Sequence, residues 1–237
     1  QINIITQPII LQNICLNDSS TTLHVSSSTN LSVDYQWFTN TTSSTLTGSV
    51  IFGANTNSYY PPSNTIGTQY YYCTISNNTN GCSTVYSDIS QVNVLEPPQI
   101  ITQPSSYNEI CINDTTSFIS IATNNTSNSN QWYVNYVHSY IGGQPMLGDT
   151  NSMLNTTYSN YDTIFYYCIT SNGICNNDTS LISTIEYIGS PNSSFTYWVN
   201  NLTVDFINNS QNSNSFLWDF GDGNSSNDIN PTHIYSN

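Results

Sequence analysis

Apolar and polar residues alternate along much of the chain with a period of two, the pattern of strands that bury one face and expose the other. Val33, Tyr35 and Trp37 form the clearest run. Other runs in the first hundred residues are Leu23 with Val25, then Tyr71, Cys73 and Ile75, and finally Val92 with Val94. Segments rich in Asn, Gly, Ser and Thr separate these runs, and no window has helical spacing of useful length. The pattern predicts an all-β chain with about seven short strands in every ~95 residues, which is the sequence form of a β-sandwich.

The chain contains two copies of one pattern. The pentapeptide at 4–8 returns at 100–104, and the Ile-Cys-x-Asn-Asp motif at 14–18 returns at 110–114. The Gln-Trp pair at 36–37 returns at 131–132, the Tyr-Tyr-Cys motif at 71–73 returns at 166–168, and Cys82 matches Cys175. The offset between matching residues drifts only from 96 to 93, which predicts two copies of one domain. Proline-containing segments at 96–98 and 189–191 mark the joints, so the predicted domains are 1–97, 98–189 and 190–237.

The charge composition narrows the classes of function. The 237 residues include no Lys or Arg and 14 Asp or Glu, so the net charge is −14 and only 6% of residues are charged. Without cations the chain cannot neutralise phosphates, and we predict neither nucleic-acid binding nor attraction to anionic lipid. No stretch approaches the ~20 apolar residues of a membrane helix, so we expect no direct membrane insertion. Because 37% of residues are hydrophobic and 13% aromatic, we expect a folded chain. From the pattern at its two ends we expect it to be one piece of a longer protein.

A resemblance to known families rests on particular motifs. Trp37, followed some 36 residues later by the Tyr-Tyr-Cys motif at 71–73, resembles the immunoglobulin pattern of strands C and F. Residues 1 to about 188 resemble the bacterial Ig-like repeats of giant cell-surface proteins of gliding bacteria, including gliding-motility adhesins exported by the type IX system. The motifs that carry this resemblance lie at 14–18, 35–38, 53–56, 59–62, 67–73 and 81–83. The second copy departs from them at 153–156, where the Pro-Pro pair is missing. The resemblance implies tandem Ig-like β-sandwich domains strung in a rod.

The last segment resembles a different β-sandwich family. The run Trp-Asp-Phe-Gly-Asp-Gly at 218–223, followed by Asn-Pro-Thr-His-Ile-Tyr at 230–235, is similar to the signature of the PKD (polycystic-kidney-disease) domain. The Gly-Thr-Tyr-x-Val run that usually completes this domain does not follow. The resemblance therefore implies the N-terminal part of a PKD-type β-sandwich at 190–237, which we expect not to be stable alone.

Six cysteines, three in each copy, favour an oxidising extracellular setting. We expect one disulfide within each copy, with the pairing open among the candidates Cys15, Cys73, Cys82, Cys111, Cys168 and Cys175. The resemblance implies Cys15–Cys82, although a simple immunoglobulin topology places these two near opposite ends of the sandwich. Cys73–Cys82, like Cys168–Cys175, would close a hairpin, and Cys15–Cys73 would imitate the inter-sheet disulfide. No Cys-x-x-Cys spacing supports a zinc site.

Further candidate sites lie on hydroxyls, acids and histidines. Thirteen Asn-x-Ser/Thr sequons occur, as a chain this rich in Asn, Ser and Thr produces by accident, and a gliding-bacterial source implies O-glycans at Thr115 and Thr163. Asp219 and Asp222 are candidate calcium ligands on a glycine-flanked turn, although we favour the alternative that they accept hydrogen bonds from the turn's own backbone. The three histidines, at 24, 138 and 233, belong to no nucleophile–base arrangement, so we predict neither catalysis nor a cofactor.

These expectations converge on a non-catalytic extracellular stalk or filament segment of a large bacterial surface adhesin, acting in attachment or gliding motility. The expected partners are neighbouring repeats of the same chain, surface glycans and other cell-surface proteins. The alternative is a set of spacer or carbohydrate-contacting modules in a secreted multidomain hydrolase.

Overall fold

The computed structural model describes residues 2–28, 32–77, 82–112, 117–158, 160 and 162–236, with only the backbone described at 82 and 83. All the regular elements in these ranges are β-strands, which confirms the all-β prediction. Within the same ranges, no helix is long and apolar enough to cross a membrane. The chain forms two compact units: one comprises Gln1–Ile101, Thr123–Asn130 and Ile169–Thr179, and the other comprises Thr102–Ala122, Gln131–Cys168 and Ser180–Asn237.

Within its described residues the first copy contributes ten strands, more than the seven expected, because several pairings are only two residues long. They are β1 (Ile4–Thr6), β2 (Leu11–Cys15), β3 (Leu23–His24), β4 (Ser26–Ser27), β5 (Asp34–Asn40), β6 (Ser49–Val50), β7 (Ser58–Tyr59), β8 (Gly67–Asn77), β9 (Cys82–Tyr86) and β10 (Ser90–Leu95). The main sheet has the order β2-β10-β8-β5-β6, and β9 also pairs with β8. The short pairs β1–β4 and β3–β7 form the other sheets of the copy.

The core of the first copy is built by the alternating residues that the sequence pattern predicts. Trp37 on β5 lies opposite Cys73 on β8, and both are fully buried. Leu23 and Val25, which flank the exposed His24, are part of the same hydrophobic cluster, as is Val92. Burial of these side chains, at roughly 25 cal/mol per Å² of apolar surface, is the main stabilising contribution to the sandwich.

The second copy repeats this topology. Its strands are β11 (Ile100–Thr102), β12 (Tyr107–Cys111), β13 (Phe118–Ser120), β14 (Ala122–Thr123), β15 (Ser129–Asn135), β16 (Gln144–Pro145), β17 (Met153–Asn155), β18 (Asp162–Ser171), β19 (Asp178–Thr179) and β20 (Ser183–Ile188). Its main sheet has the order β12-β20-β18-β15-β16, with β19 beside β18. Trp132, Ile164 and Ile185 are fully buried. The repeated sequence motifs therefore correspond to a repeated sheet order, including the parallel pairs β2–β10 and β12–β20.

The last segment forms a smaller arrangement of strands. It contains β21 (Phe195–Asn200), β22 (Thr203–Asn208), β23 (Trp218–Asp219), β24 (Ser225–Ser226) and β25 (Thr232–Ile234). Strands β21, β22 and β25 form a three-stranded sheet, and β23 pairs with β24. The ring of Phe206 lies 5.4 Å from that of Trp218 and 5.5 Å from that of Phe220, centroid to centroid. All six residues of β21 are exposed, so this segment buries much less apolar surface than the two copies.

Candidate functional site

The main candidate site is the joint between the two copies, where the strand register places Cys15. Strand β2 runs parallel to β10, and Cys15 at its end lies opposite Leu95, the last residue of β10. The N–H of Leu16 donates to the carbonyl oxygen of Leu95 at 2.8 Å, and the chain then turns through Asn17 at a φ of 66°. Asn tolerates this left-handed conformation better than most residues do. These contacts hold Cys15 beside the linker that begins at Glu96.

A tight turn in the second copy positions Cys175. After β18 ends at Ser171, the side-chain oxygen of Asn172 accepts hydrogen bonds from the N–H groups of Ile174, at 3.1 Å, and Cys175, at 2.8 Å. Gly173 supplies the positive φ of 76° that the turn requires. Asn and Gly are frequent turn residues for these two reasons.

Cys15 and Cys175 form a disulfide, with their Cα atoms 5.2 Å apart and 160 positions apart in sequence. The bond joins the first copy to the second, which differs from the expected disulfide within each copy. Each cysteine is only 7% exposed. Both residues belong to the same compact unit, because that unit includes the segment Ile169–Thr179.

The register of the first copy explains why Cys15 does not pair within it. Cys15 lies at the Leu95 end of β10, where Val94 is opposite Gly67 at the start of β8. The backbone of Cys82 lies opposite Asn77, at the other end of β8. The ten residues between these ends span about 33 Å at about 3.3 Å per residue. A disulfide needs its Cα atoms within about 7 Å, so a Cys15–Cys82 bond is sterically excluded.

The local alternatives fail for a related reason. Cys73, Cys111 and Cys168 carry no disulfide. Cys73 is in the middle of β8, and its backbone N–H donates to the hydroxyl oxygen of Ser87 at 2.9 Å; Cys168 donates to Ser180 in the same way at 2.8 Å. Burial raises the pKa of the Cys73 thiol to about 12 and that of the Cys168 thiol to about 11. Cys73 and Cys168 are therefore residues of the two cores. With their pKa raised, their thiols are unsuited to nucleophilic chemistry at neutral pH.

Polar side chains reinforce the joint around the disulfide. The side-chain amide of Asn172 donates to the carbonyl oxygen of Glu96 at 2.9 Å. The amide of Asn124 donates to the carbonyl oxygen of Pro97 at 3.0 Å, and its oxygen accepts the N–H of Gln99 at 2.9 Å. The carboxylate of Asp178 accepts the N–H of Ile100 at 2.7 Å. Sequence reasoning missed these anchors, because isolated Asn and Asp residues in loops of an Asn-rich chain carry no distinguishing signal.

Of the candidate calcium ligands, Asp219 ends β23 and Asp222 lies on the turn between β23 and β24. One oxygen of Asp219 accepts the N–H of Gly221 at 2.9 Å, and one oxygen of Asp222 accepts the N–H of Asn224 at 3.1 Å. The second oxygen of Asp222 is 2.8 Å from Nε2 of His233, and this bond lowers the pKa of the Asp222 carboxyl. Among the described residues, no group of three or more His, Cys, Asp or Glu is arranged to hold a metal ion. Calcium at these two acids stays a sequence-based prediction.

The remaining candidates are dispersed. Thr163 is a half-buried residue of β18 opposite Glu186, whereas Thr115 lies outside the described residues. His24 is exposed on β3. The ring of His138 packs edge-on against Phe165 at 5.3 Å, and that of His233 stacks on Phe220 at 4.1 Å. The structure therefore places the three histidines in separate surroundings.

Comparison with known proteins supports the fold. No protein-family model matches the sequence, and no curated protein matches it. Among solved structures, a three-Ig structure of a titin E-to-A mutated variant is similar at a TM-score of 0.58 and 12% identity, covering 96% of this chain and 81% of that one. An I-band fragment of titin gives a TM-score of 0.55 at the same identity and coverage, and a crystal structure of Rst gives 0.52 at 15% identity, covering 78% of this chain and 99% of that one. At such low identity the likeness concerns the fold alone: the chain has a tandem Ig-like β-sandwich fold.

Proposed function

We propose that the chain is a non-catalytic extracellular stalk or filament segment of a large bacterial surface adhesin, acting in attachment or gliding motility. The observation that carries this proposal is the Cys15–Cys175 disulfide between two Ig-like copies. Disulfides persist in oxidising surroundings such as the cell surface and are rare in reducing ones. The resemblance of both copies to bacterial Ig-like repeats supports the adhesin assignment.

The proposal divides the chain into Ig-like repeats at 1–97 and 98–189 and the N-terminal part of a PKD domain at 190–237. The repeated sheet order supports the first two. For the third, support comes from the turn at 219–224 and from the aromatic cluster of Phe206, Trp218 and Phe220. An O-glycan on Thr163 is proposed on its sequence motif and would appear as added mass on the peptide that contains it.

A binding or spacing role suits the surface better than catalysis does. Burial raises the pKa of the thiols at 73 and 168, and the three histidines lie in separate surroundings. Tyr60 and Tyr86 are each 53% exposed on a surface without lysine or arginine. Such rings stack on sugars while their hydroxyls form hydrogen bonds, so we propose surface glycans, other cell-surface proteins and neighbouring repeats as partners.

The test is made on intact cells that produce the protein. We expect an antibody against residues 1–189 to label unpermeabilised cells, and deletion of the coding region for these residues to reduce surface attachment or gliding. An antibody against a cytoplasmic protein is the control for cell integrity. If the protein instead appears mainly in the medium, joined to a catalytic domain, the spacer role in a secreted hydrolase replaces this proposal.

A further inference from the structure

The Cys15–Cys175 disulfide provides a covalent route between the two ends of the chain that bypasses the residues between the two cysteines. Cys15 ends the second strand of the first copy, and Cys175 follows the longest strand of the second. The buried tryptophans of both cores, Trp37 and Trp132, therefore lie inside the loop that the bond closes. A load applied at the two chain ends passes through residues 1–15, crosses the sulfur atoms, and continues through residues 175–237.

We propose that Cys15–Cys175 is a mechanical clamp that removes the segment between the two cysteines, which contains most strands of both Ig-like copies, from the load-bearing path. A covalent bond does not lengthen measurably under forces that unfold a sandwich, so the enclosed loop cannot be drawn out while the bond is intact. The 160 positions between the cysteines, at about 3.6 Å per extended residue and less the 5.2 Å between their Cα atoms in the fold, amount to about 570 Å of withheld length. The use of such a clamp in a cell-surface stalk rests on the proposed function, but its mechanical effect does not.

Load reaches the clamp through ordered strands on either side. On the N-terminal side, β2 is paired with β10 along five residues, from Leu11 opposite Gln91 to Cys15 opposite Leu95. On the other side, β20 follows Cys175 along the chain and pairs with β18 over five positions. Only these flanking strands and the last segment, about 78 residues in all, remain extensible while the clamp holds.

The clamp also makes extensibility sensitive to redox conditions. A dithiol reductant supplies two electrons and two protons, the S–S bond breaks, Cys15 and Cys175 become thiols, and the reductant is oxidised to its cyclic disulfide. Since each cysteine is only 7% exposed, we expect reduction to be slower than for an exposed disulfide. After reduction, the whole chain enters the load path.

Single-molecule pulling tests the clamp on the full chain, with peptide-tag handles at both ends so that no cysteine is needed for attachment. We expect the total length released on unfolding to be about 570 Å greater in a dithiol reductant than under oxidising conditions. C15S should behave like the reduced chain without any reductant. C111S, which changes the matching position of the second copy, is the control and should keep the clamped length. If C15S does not fold, reduction of the unmodified chain gives the same comparison.

The released length also identifies the bond. Equal lengths with and without reductant would overturn the clamp, and so would an increase of about 240 Å or 210 Å, the values for Cys15–Cys82 or Cys15–Cys73. These results are independent of the cell-labelling test. If the protein is found on the cell surface but pulling shows no clamp, only the clamp proposal is refuted. If pulling shows the clamp but the protein is not on the cell surface, only the stalk proposal is refuted.

Discussion

Replacing either cysteine of the Cys15–Cys175 disulfide should lower the free energy of unfolding by the same amount. In the chain-entropy description, a disulfide reduces the entropy of the unfolded chain more as its loop grows. For a separation of 160 positions this contribution is about 5 kcal/mol, and measured losses of native disulfides are about 2–5 kcal/mol. We therefore expect C15S and C175S each to lower the free energy of unfolding by about 2–5 kcal/mol.

The double variant distinguishes one shared bond from two separate contributions. Because both substitutions break the same bond, C15S/C175S should lose about as much free energy of unfolding as either single variant, not their sum. Urea unfolding followed by tryptophan fluorescence suits this measurement, since Trp37 and Trp132 are fully buried and report on both cores. C111S should unfold at nearly the urea concentration of the unmodified chain.

Three results would refute this reasoning. Additive losses in the double variant would mean that Cys15 and Cys175 act separately. A neutral C175S would mean that the second copy does not supply the partner of Cys15. If C82S lost as much free energy of unfolding as C15S, and the double variant C15S/C82S lost no more than either, the pairing within the first copy would be restored.

The remaining predictions concern a thiol, a glycine and an ion pair. At pH 8 we expect a maleimide to modify the half-buried Cys111 well before Cys73 in the native chain, because burial raises the pKa of the Cys73 thiol to about 12; equal labelling rates by mass spectrometry would contradict this. Gly48→Ala should cost about 1–3 kcal/mol of the free energy of unfolding, because the added methyl group meets a buried tyrosine ring; an unchanged urea midpoint would show that the ring moves aside. His233→Asn should raise the pKa of the Asp222 carboxyl toward its ordinary value, as followed by carbon NMR of the side chain. With the lowered folded-state pKa, the pair stabilises the segment above the ordinary aspartate pKa and loses this contribution as pH falls through the folded-state value, so an unchanged titration in the variant would refute the pairing.

The sandwiches could be predicted from sequence because their determinants are local and repeated. Alternation of residues such as Val33, Tyr35 and Trp37 specifies which face of a strand is buried, and the near-constant offset between copies shows that both follow one plan. The strand count was less predictable, since two-residue pairings such as β3–β7 leave almost no periodic signal.

The disulfide could not be predicted by considering each copy alone. The geometric objection to Cys15–Cys82, that the two lie at opposite ends of one sandwich, is correct. Cys15, at the Leu95 end of the first copy, instead pairs with Cys175, which follows β18 of the second copy in sequence. Periodicity along a strand does not contain this information, because it depends on how consecutive copies meet at the linker.

In this chain without lysine or arginine, neutral amide side chains form hydrogen bonds to the backbone of both copies. Several amide side chains of the two copies are half-buried or buried and bind the backbone at matching positions. Gln36 donates to the carbonyl oxygens of Trp37 and Ile51, each at 2.9 Å, and Gln131 makes the matching pair of bonds in the second copy.

A second pair of amide side chains, Asn40 and Asn135, also binds the backbone at matching positions. Asn40 and Asn135 are each 8% exposed, and each donates at 2.8 Å to a serine carbonyl oxygen four residues further on. A buried charge would need a partner and a large desolvation cost, whereas a neutral amide satisfies backbone groups at lower cost and keeps its hydrogen bonds at every pH. The same principle holds at the joint, where Asn124 and Asn172 bind backbone carbonyls beside the disulfide. A chain without cations thus adds neutral amide hydrogen bonds to the hydrophobic burial of its cores, and its joint combines such bonds with the Asp178 carboxylate and the Cys15–Cys175 disulfide. The amide bonds and the disulfide are insensitive to the salt that weakens exposed ion pairs.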